Sequence, residues 1–372
     1  MTSLQAKRLQ HLFWGGGEER KRGVGFLYED SKEQQHGVRM GFHKNSTCRK
    51  RKLTENKKQK NSASKYDFVK VRVHLSEQHY YVLSRFLLCR MLMAARIKYG
   101  HALRIALDLK KRLVDKAQLN VTQKALQSEL FDLFQQHGYG SEHVQWYRTM
   151  ASFHHQRIPL VILLAGTSST GKSSIATYLS ERLNLSSVLK TDVVYDLMHT
   201  IMDGTTPSSL WTQDTEDAMD LLENECTLIC RGLNSDVCKS VTDGKSIIIE
   251  GDLVNHKLLD QMHQFVDQSQ TVIIAPFLLT ISESSLHRQL VDETCTLPNE
   301  CVDNAFKRIE EWQASLLKTN KERQANLTDH LPSFNVIQVN MEHLQRSIDV
   351  IQGIVLERIA ATMKNLPSKS TE

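Results

Sequence analysis

The chain of 372 residues has no apolar run near the roughly 20 residues that a membrane-crossing helix needs. No secretory leader is expected: the opening MTSLQAKRLQHLFW is basic, without an apolar core or a cleavage site, and reads at most as a weak transit peptide, with Glu18 and Glu19 following soon after. Cysteine is sparse: seven thiols at irregular spacings argue against a disulfide framework and for a reducing compartment. Cys226 and Cys230 stand one helical turn apart and Cys238 follows, but no histidine sits at ligand spacing. These three read as buried helix residues rather than metal ligands. A basic surplus is missing from most of the chain too. The net charge is +5, yet residues 1–64 hold 15 Lys or Arg against 6 Asp or Glu, which leaves the other 308 residues at −4. The folded part therefore gives no sign of a nucleic-acid surface, and any polyanion contact falls to the tail.

What is present begins with that tail. Residues 1–64 are rich in Gly, Lys, Arg, Ser and Gln, show no sustained apolar period, and are expected to be disordered. Arg49-Lys50-Arg51-Lys52, then Lys57, Lys58 and Lys60, reads either as a solvated linker or as a nuclear import signal. The expected location is cytoplasmic, with the nucleus as the alternative that this run allows. The length suits about two domains plus extras.

From Tyr66 the pattern becomes ordered. DFVKVRVHL alternates like a half-exposed strand. Helices are expected from Ser76 to about Arg96, His101 to Asp115, Thr122 to His137 (stopped by Gly138), and Ser141 to His154. These make a small, mostly helical domain over 65–156. His154-His155-Gln156-Arg157 reads as a polar linker. Neighbouring histidines point to different sides of a helix or strand, which is poor for chelation.

Residues 157–372 alternate strand and helix, so an α/β fold with a parallel sheet flanked by helices is expected. The strand candidates are Leu160–Ala165, Ser187–Thr191, Ser246–Glu250, Thr271–Leu279 and Asn335–Asn340. The Ile247-Ile248-Ile249 and Val272-Ile273-Ile274 runs suit strands buried on both faces. Long helices are expected at Asp214–Val241, Asn299–Arg323 and Met341–Met363.

The first strand runs into Gly166-Thr167-Ser168-Ser169-Thr170-Gly171-Lys172-Ser173-Ser174, and a helix with Ile175, Leu179 and Leu183 on one face follows. This is G-x-x-x-x-G-K-S between a strand and a helix, the arrangement of a P-loop NTPase. Glycines at both ends let successive N–H groups turn toward phosphate oxygens. The helix that follows adds its positive end. Lys172 is expected to reach the outer phosphates of ATP, and Ser173 to bind Mg²⁺.

Ligands of such sheets bind at the carboxyl ends of the strands. Asp192 falls there, either to take a proton from a substrate hydroxyl or to cap the helix from Val193. Glu250 ends the Ile-rich strand and is expected to orient the metal, whereas Asp252 reads as a turn residue. Arg288 and Arg308, with His287 and Lys307 beside them, are the candidate cations over a migrating phosphate.

The stretches FLLCRMLMAARI, RTMASFHHQRIPLVILLAGTSSTGKSSIATYLSERLNL, VLKTDVVYDLMHT, GKSIIIEG and PFLLTISESSLHRQ together resemble the 2-phosphoglycerate kinase family. They are most similar to the eukaryotic branch with the plant low-phytic-acid P-loop proteins. The resemblance implies an ATP-cone-like helical domain followed by a P-loop kinase domain. It implies ATP-dependent phosphorylation of 2-phosphoglycerate to 2,3-bisphosphoglycerate, with Mg²⁺. An ATP-binding regulatory role in phosphate or inositol phosphate metabolism is the alternative. The family pattern has Arg where His199 stands, an apolar residue and His where Asp252 and Leu253 stand, and further arginines where Gln289, Leu290 and Val291 stand.

Overall fold

The computed structural model describes residues 65–185, 187–203, 210–211, 218–267, 271–294, 299–326 and 331–365. The expected basic tail, 1–64, lies outside them, as do 212–217 at the start of the expected helix from Asp214. The described residues, from Lys65 onward, belong to one compact unit.

Six consecutive apolar residues, Leu160–Ala165, make strand β4, and all six are buried. Such a run has no polar face to offer water, so it takes the middle of a sheet covered on both sides. It lies between β6 (Ile247–Gly251) and β7 (Ile273–Thr280), parallel to both. β5 (Ser187–Lys190) and β8 (Asn335–Gln338) form the two edges, giving the order β5-β6-β4-β7-β8, all parallel. After β4 the chain builds one side of the sheet and later the other. The carboxyl end of β4 is therefore the switch point where such sheets take their ligands.

Successive β4 side chains face opposite ways and seed two cores. Val161, Leu163 and Ala165 join α8 (Ala218–Thr242), α9 (His256–Asp267) and α11 (Asn299–Ala325), with Trp312 and Phe334 among the buried rings. Leu160, Ile162 and Leu164 join α6 (Lys172–Arg182) and α12 (Leu344–Asn365). Two more helices serve the site: α7 (Thr191–Asp203) after β5, and α10 (Ser284–Thr294) after β7.

The amino-terminal part of the described chain has its own core. It comprises α1 (Lys65–Phe68), α2 (Arg85–Ala94), α3 (Tyr99–Asp115), α4 (Gln123–Gln136) and α5 (Ser141–Gln156). Leu92, Ile105, Leu109, Leu113, Leu130 and Phe134 fill it, while Met91 and Trp146 touch both this core and the sheet's α6–α12 face. Two expectations change here. The helix expected from Ser76 starts at Arg85, because Ser84 caps it by accepting from the Leu87 N–H. Tyr80–Val82 instead forms β2, antiparallel to β1 (Arg72–His74), and Asn120–Thr122 forms β3 on its other edge. The HHQR stretch is no linker: α5 runs through Gln156, and only Arg157 leaves the helix, with φ 52°.

Candidate active site

The nine residues Gly166 to Ser174 leave the end of β4 and enter α6, which begins at Lys172. Gly166 has φ 146°, and a Cβ there would lie 2.6 Å from the Leu279 carbonyl oxygen. That contact is shorter than any side chain tolerates, so β7 presses directly on a glycine backbone. Ser169 at φ 61° and Gly171 at φ 81° complete the turn of the loop. The Thr170 hydroxyl donates to the Thr167 carbonyl at 2.8 Å, and His287 on α10 donates from Nε2 to the Ser168 carbonyl at 2.8 Å. His287 is buried, so a neighbouring element fixes the loop's shape. The shape and its N–H groups suit a phosphate chain, and the donors at its rim suit the metal that accompanies one.

Lys172 and Ser173 are each matched to an acid on or after β6. The Ser173 hydroxyl donates to Glu250 Oε1 at 2.8 Å. Lys172 Nζ donates to the Thr167 carbonyl at 2.6 Å and pairs with Asp252 Oδ1, also at 2.6 Å. All three charged groups are nearly covered: Lys172 is 7% exposed, Asp252 8% and Glu250 2%. Glu250 also has Lys190 Nζ at 3.9 Å, from the end of β5. Ser173 and Glu250 are thus the pair able to hold Mg²⁺ with help from bound phosphates. No group of three or more His, Cys, Asp or Glu among the described residues is arranged to hold a metal by itself.

Asp192 does not end a strand, nor does it cap a helix. β5 stops at Lys190 and α7 starts at Thr191, which places Asp192 in the helix's first turn. The residue as a whole is exposed, but its Oδ1 is turned toward Gly251, within 3.3 Å of where a Cβ there would stand. Burial pushes its carboxyl up to about 6, and Asp252 and Glu250 add to the rise, while Lys172 and the Thr191 hydroxyl oppose it. A carboxyl titrating there exchanges protons near neutral pH.

Asp252 does sit in the turn after β6, as expected, but its side chain is also a buried hub, which the turn reading did not foresee. Its Oδ2 accepts from the Ser168 hydroxyl at 2.5 Å and from Trp211 Nε1 at 3.1 Å, and its carbonyl accepts from Trp312 Nε1 at 3.1 Å. An acid two residues past a buried strand and one past a glycine was the available signal. Its partners, 41 to 84 residues away, were not visible in the chain.

The two expected arginines are placed differently. Arg308 on α11 donates to the Trp211 carbonyl at 3.3 Å, so it borders the segment that Asp252 holds. Arg288 on α10 is paired with Asp292 at 2.9 Å and Asp303 at 2.5 Å, and lies over the Phe306 ring. His287, not Arg288, touches the phosphate loop. His199, where the family pattern has Arg, bonds Glu225 on α8 at 3.0 Å. Cys226 and Cys230 are buried on α8 and Cys238 is partly buried; burial pushes the Cys230 thiol up to about 11.

A parallel sheet with a glycine loop at its switch point, a lysine and a serine opening the next helix, and an acid on the adjacent strand make this chain a P-loop NTPase. Among its relatives are 2-phosphoglycerate kinases. That of Pyrococcus horikoshii is 24% identical over 299 residues, covering 76% of this chain and 92% of the relative. That of Methanocaldococcus jannaschii is 24% identical over 308 residues, covering 78% and 92%. The chain is accordingly a relative of the 2-phosphoglycerate kinase family, matched along most of its own length and nearly all of theirs. No protein-family profile matches it. Similar solved structures include a gluconokinase from Sinorhizobium meliloti, with TM-score 0.32, 13% identity, and coverage of 58% of this chain and 99% of that one. A shikimate kinase from Acinetobacter baumannii in complex with shikimate has TM-score 0.32, 17% identity, and the same coverage.

Proposed function

We propose that the protein is an ATP-dependent small-molecule kinase, and that its acceptor is the hydroxyl of a small phosphorylated acid. Following the names of its relatives, the reading is 2-phosphoglycerate to 2,3-bisphosphoglycerate. The observation that carries it is the meeting of Lys172, Ser173, Glu250 and Asp192 at the end of β4, where a nucleotide's phosphates and an acceptor would come together.

In this reading the loop N–H groups from Gly166 to Ser174 and the Lys172 ammonium hold the phosphates. The Ser173 hydroxyl and Glu250 would hold Mg²⁺, which when bound would neutralise phosphate charge. Asp192 takes the acceptor's hydroxyl proton, since its carboxyl can be ionised at neutral pH yet still hold a proton briefly. Arg308 and Arg288 supply positive charge around the transferred group, Arg308 from beside Trp211 and Arg288 by exchanging a carboxylate partner for phosphate.

A second reading keeps ATP binding and assigns a regulatory role in phosphate or inositol phosphate metabolism. The Lys172–Asp252 pair and the engagement of His199 by Glu225 favour it. One experiment separates the two. ATP consumption with Mg²⁺ is measured against 2-phosphoglycerate, 3-phosphoglycerate and inositol phosphates, with Lys172→Ala as control. Acceptor-dependent turnover lost in the variant supports the kinase. Tight ATP binding without acceptor-dependent turnover supports the regulator.

A further inference from the structure

Lys172 is the group that a P-loop turns toward a nucleotide's outer phosphates. Here its Nζ faces a carboxylate at 2.6 Å, and both partners are buried. A phosphate chain arriving at that ammonium meets the Asp252 charge in a poorly screened place, where like charges repel strongly. Asp252 also has three further ties. The Ser168 hydroxyl and Trp211 Nε1 both donate to Oδ2, and Trp312 Nε1 donates to its carbonyl. Trp211 is itself buried, and its own carbonyl accepts from Arg308 on α11. One carboxylate thus joins the phosphate loop to Trp211, and through Trp211 to one of the arginines expected over the transferred group.

We propose that Asp252 is a positioning residue that competes with the nucleotide's phosphates for Lys172 and transmits their arrival to Trp211. This rests on the nucleotide reading of the loop. When Lys172 turns to phosphate, Asp252 loses its ion pair, gains a like-charged neighbour, and moves with the indole it holds. ATP binding is thereby weakened and tied to the arrangement of Trp211 and Arg308. An apolar residue at this position would have no charge with which to do either.

The test uses the full chain and its tryptophan emission. Trp211→Phe, compared with the parent, assigns the Trp211 signal against Trp14, Trp146 and Trp312. ATP with Mg²⁺ is titrated, and calorimetry measures affinity separately. The expected result is an ATP-dependent change in Trp211 emission, with Asp252→Asn binding ATP about tenfold more tightly and showing little of that change. Asparagine keeps an acceptor for Ser168 and Trp211, so a purely structural role predicts unchanged or weaker affinity. Either of those results, or a full emission response in Asp252→Asn, overturns the proposal. Lys172→Ala breaks the pair from the other side and serves if Asp252→Asn does not fold. Its Trp211 emission before any nucleotide is added should match that of the ATP-saturated parent; emission equal to the nucleotide-free parent overturns the proposal. Calorimetry that detects no ATP binding by the parent removes the nucleotide reading and this proposal together. Binding with an unaltered Asp252→Asn affinity removes only the proposal.

Discussion

The Ser173 hydroxyl and Glu250 Oε1 stand 2.8 Å apart, joining the first turn after the phosphate loop to the strand beside it. A hydroxyl and a carboxylate in contact at that place form two neighbouring oxygen donors for a hard cation. Glu250→Ala is expected to lower Mg²⁺-dependent turnover by about 10² or more, in the range typical of removing one electrostatic element of a transition-state site. Because the site is read as needing both donors, Ser173→Ala is expected to raise the Mg²⁺ concentration giving half-maximal rate. Rates measured across a Mg²⁺ titration check both variants.

Asp192 sets a pH dependence. With its carboxyl pushed up to about 6, turnover should rise through that pH and level off above it, and Asp192→Asn should abolish the rising limb. Asp252→Asn removes one of the charges that raise it, so the limb should move to lower pH. For stability the sign is the reverse. A folded value above the ordinary 3.8 favours the protonated fold. That contribution is complete below about 3.8 and is lost as pH rises through about 6. pH–rate profiles test the first claims, and denaturant midpoints between pH 4 and 7 test the last.

Gly251, the last residue of β6, separates Glu250 within the strand from Asp252 after it. It has φ 150°, and a Cβ would fall 1.7 Å from the Thr191 hydroxyl. Gly251→Ala combines backbone strain with overpacking. It should cost about 2 to 5 kcal/mol and displace Asp192, seen as a lower urea midpoint together with lost turnover.

Asn320, fully buried on α11, holds the entry to β8. Its Oδ1 accepts from the Phe334 N–H at 2.7 Å and its Nδ2 donates to the Phe334 carbonyl at 3.1 Å. Replacing it with alanine leaves the buried Phe334 N–H unpaired and its carbonyl with only the longer bond from Gln324 Nε2 at 3.4 Å. The expected loss is about 2 to 4 kcal/mol by denaturant unfolding, with the affinity for ATP little altered because the site lies on other strands.

Arg288 and Arg308 separate by what each holds. Arg308→Ala removes a bond to Trp211 at the rim of the site, and should lower the catalytic rate more than Arg288→Ala. Arg288 must first leave Asp292 and Asp303, and it is partly exposed, so its loss is expected to cost less. Steady-state kinetics on the two variants, compared by kcat, decide the order.

The phosphate loop, the parallel sheet and Glu250 were legible in the chain because each is a local pattern. An apolar run, a glycine spacing and an acid at a strand's end are all set by residues within one or two turns of each other. Asn120–Thr122 and Tyr80–Val82 escaped because three-residue strands carry too little periodicity to compete with the helical residues around them. The role of Asp252 was decided only by the tertiary structure. Its partners come from the loop after β4, the segment at Trp211 and helix α11, and only the sheet's crossovers bring these together. The same holds for Asp192, whose carboxyl is shifted first by burial and then by charges on other elements. Sequence fixes which groups a chain owns, but their electrostatic environment depends on distances of a few ångströms that local spacing does not encode.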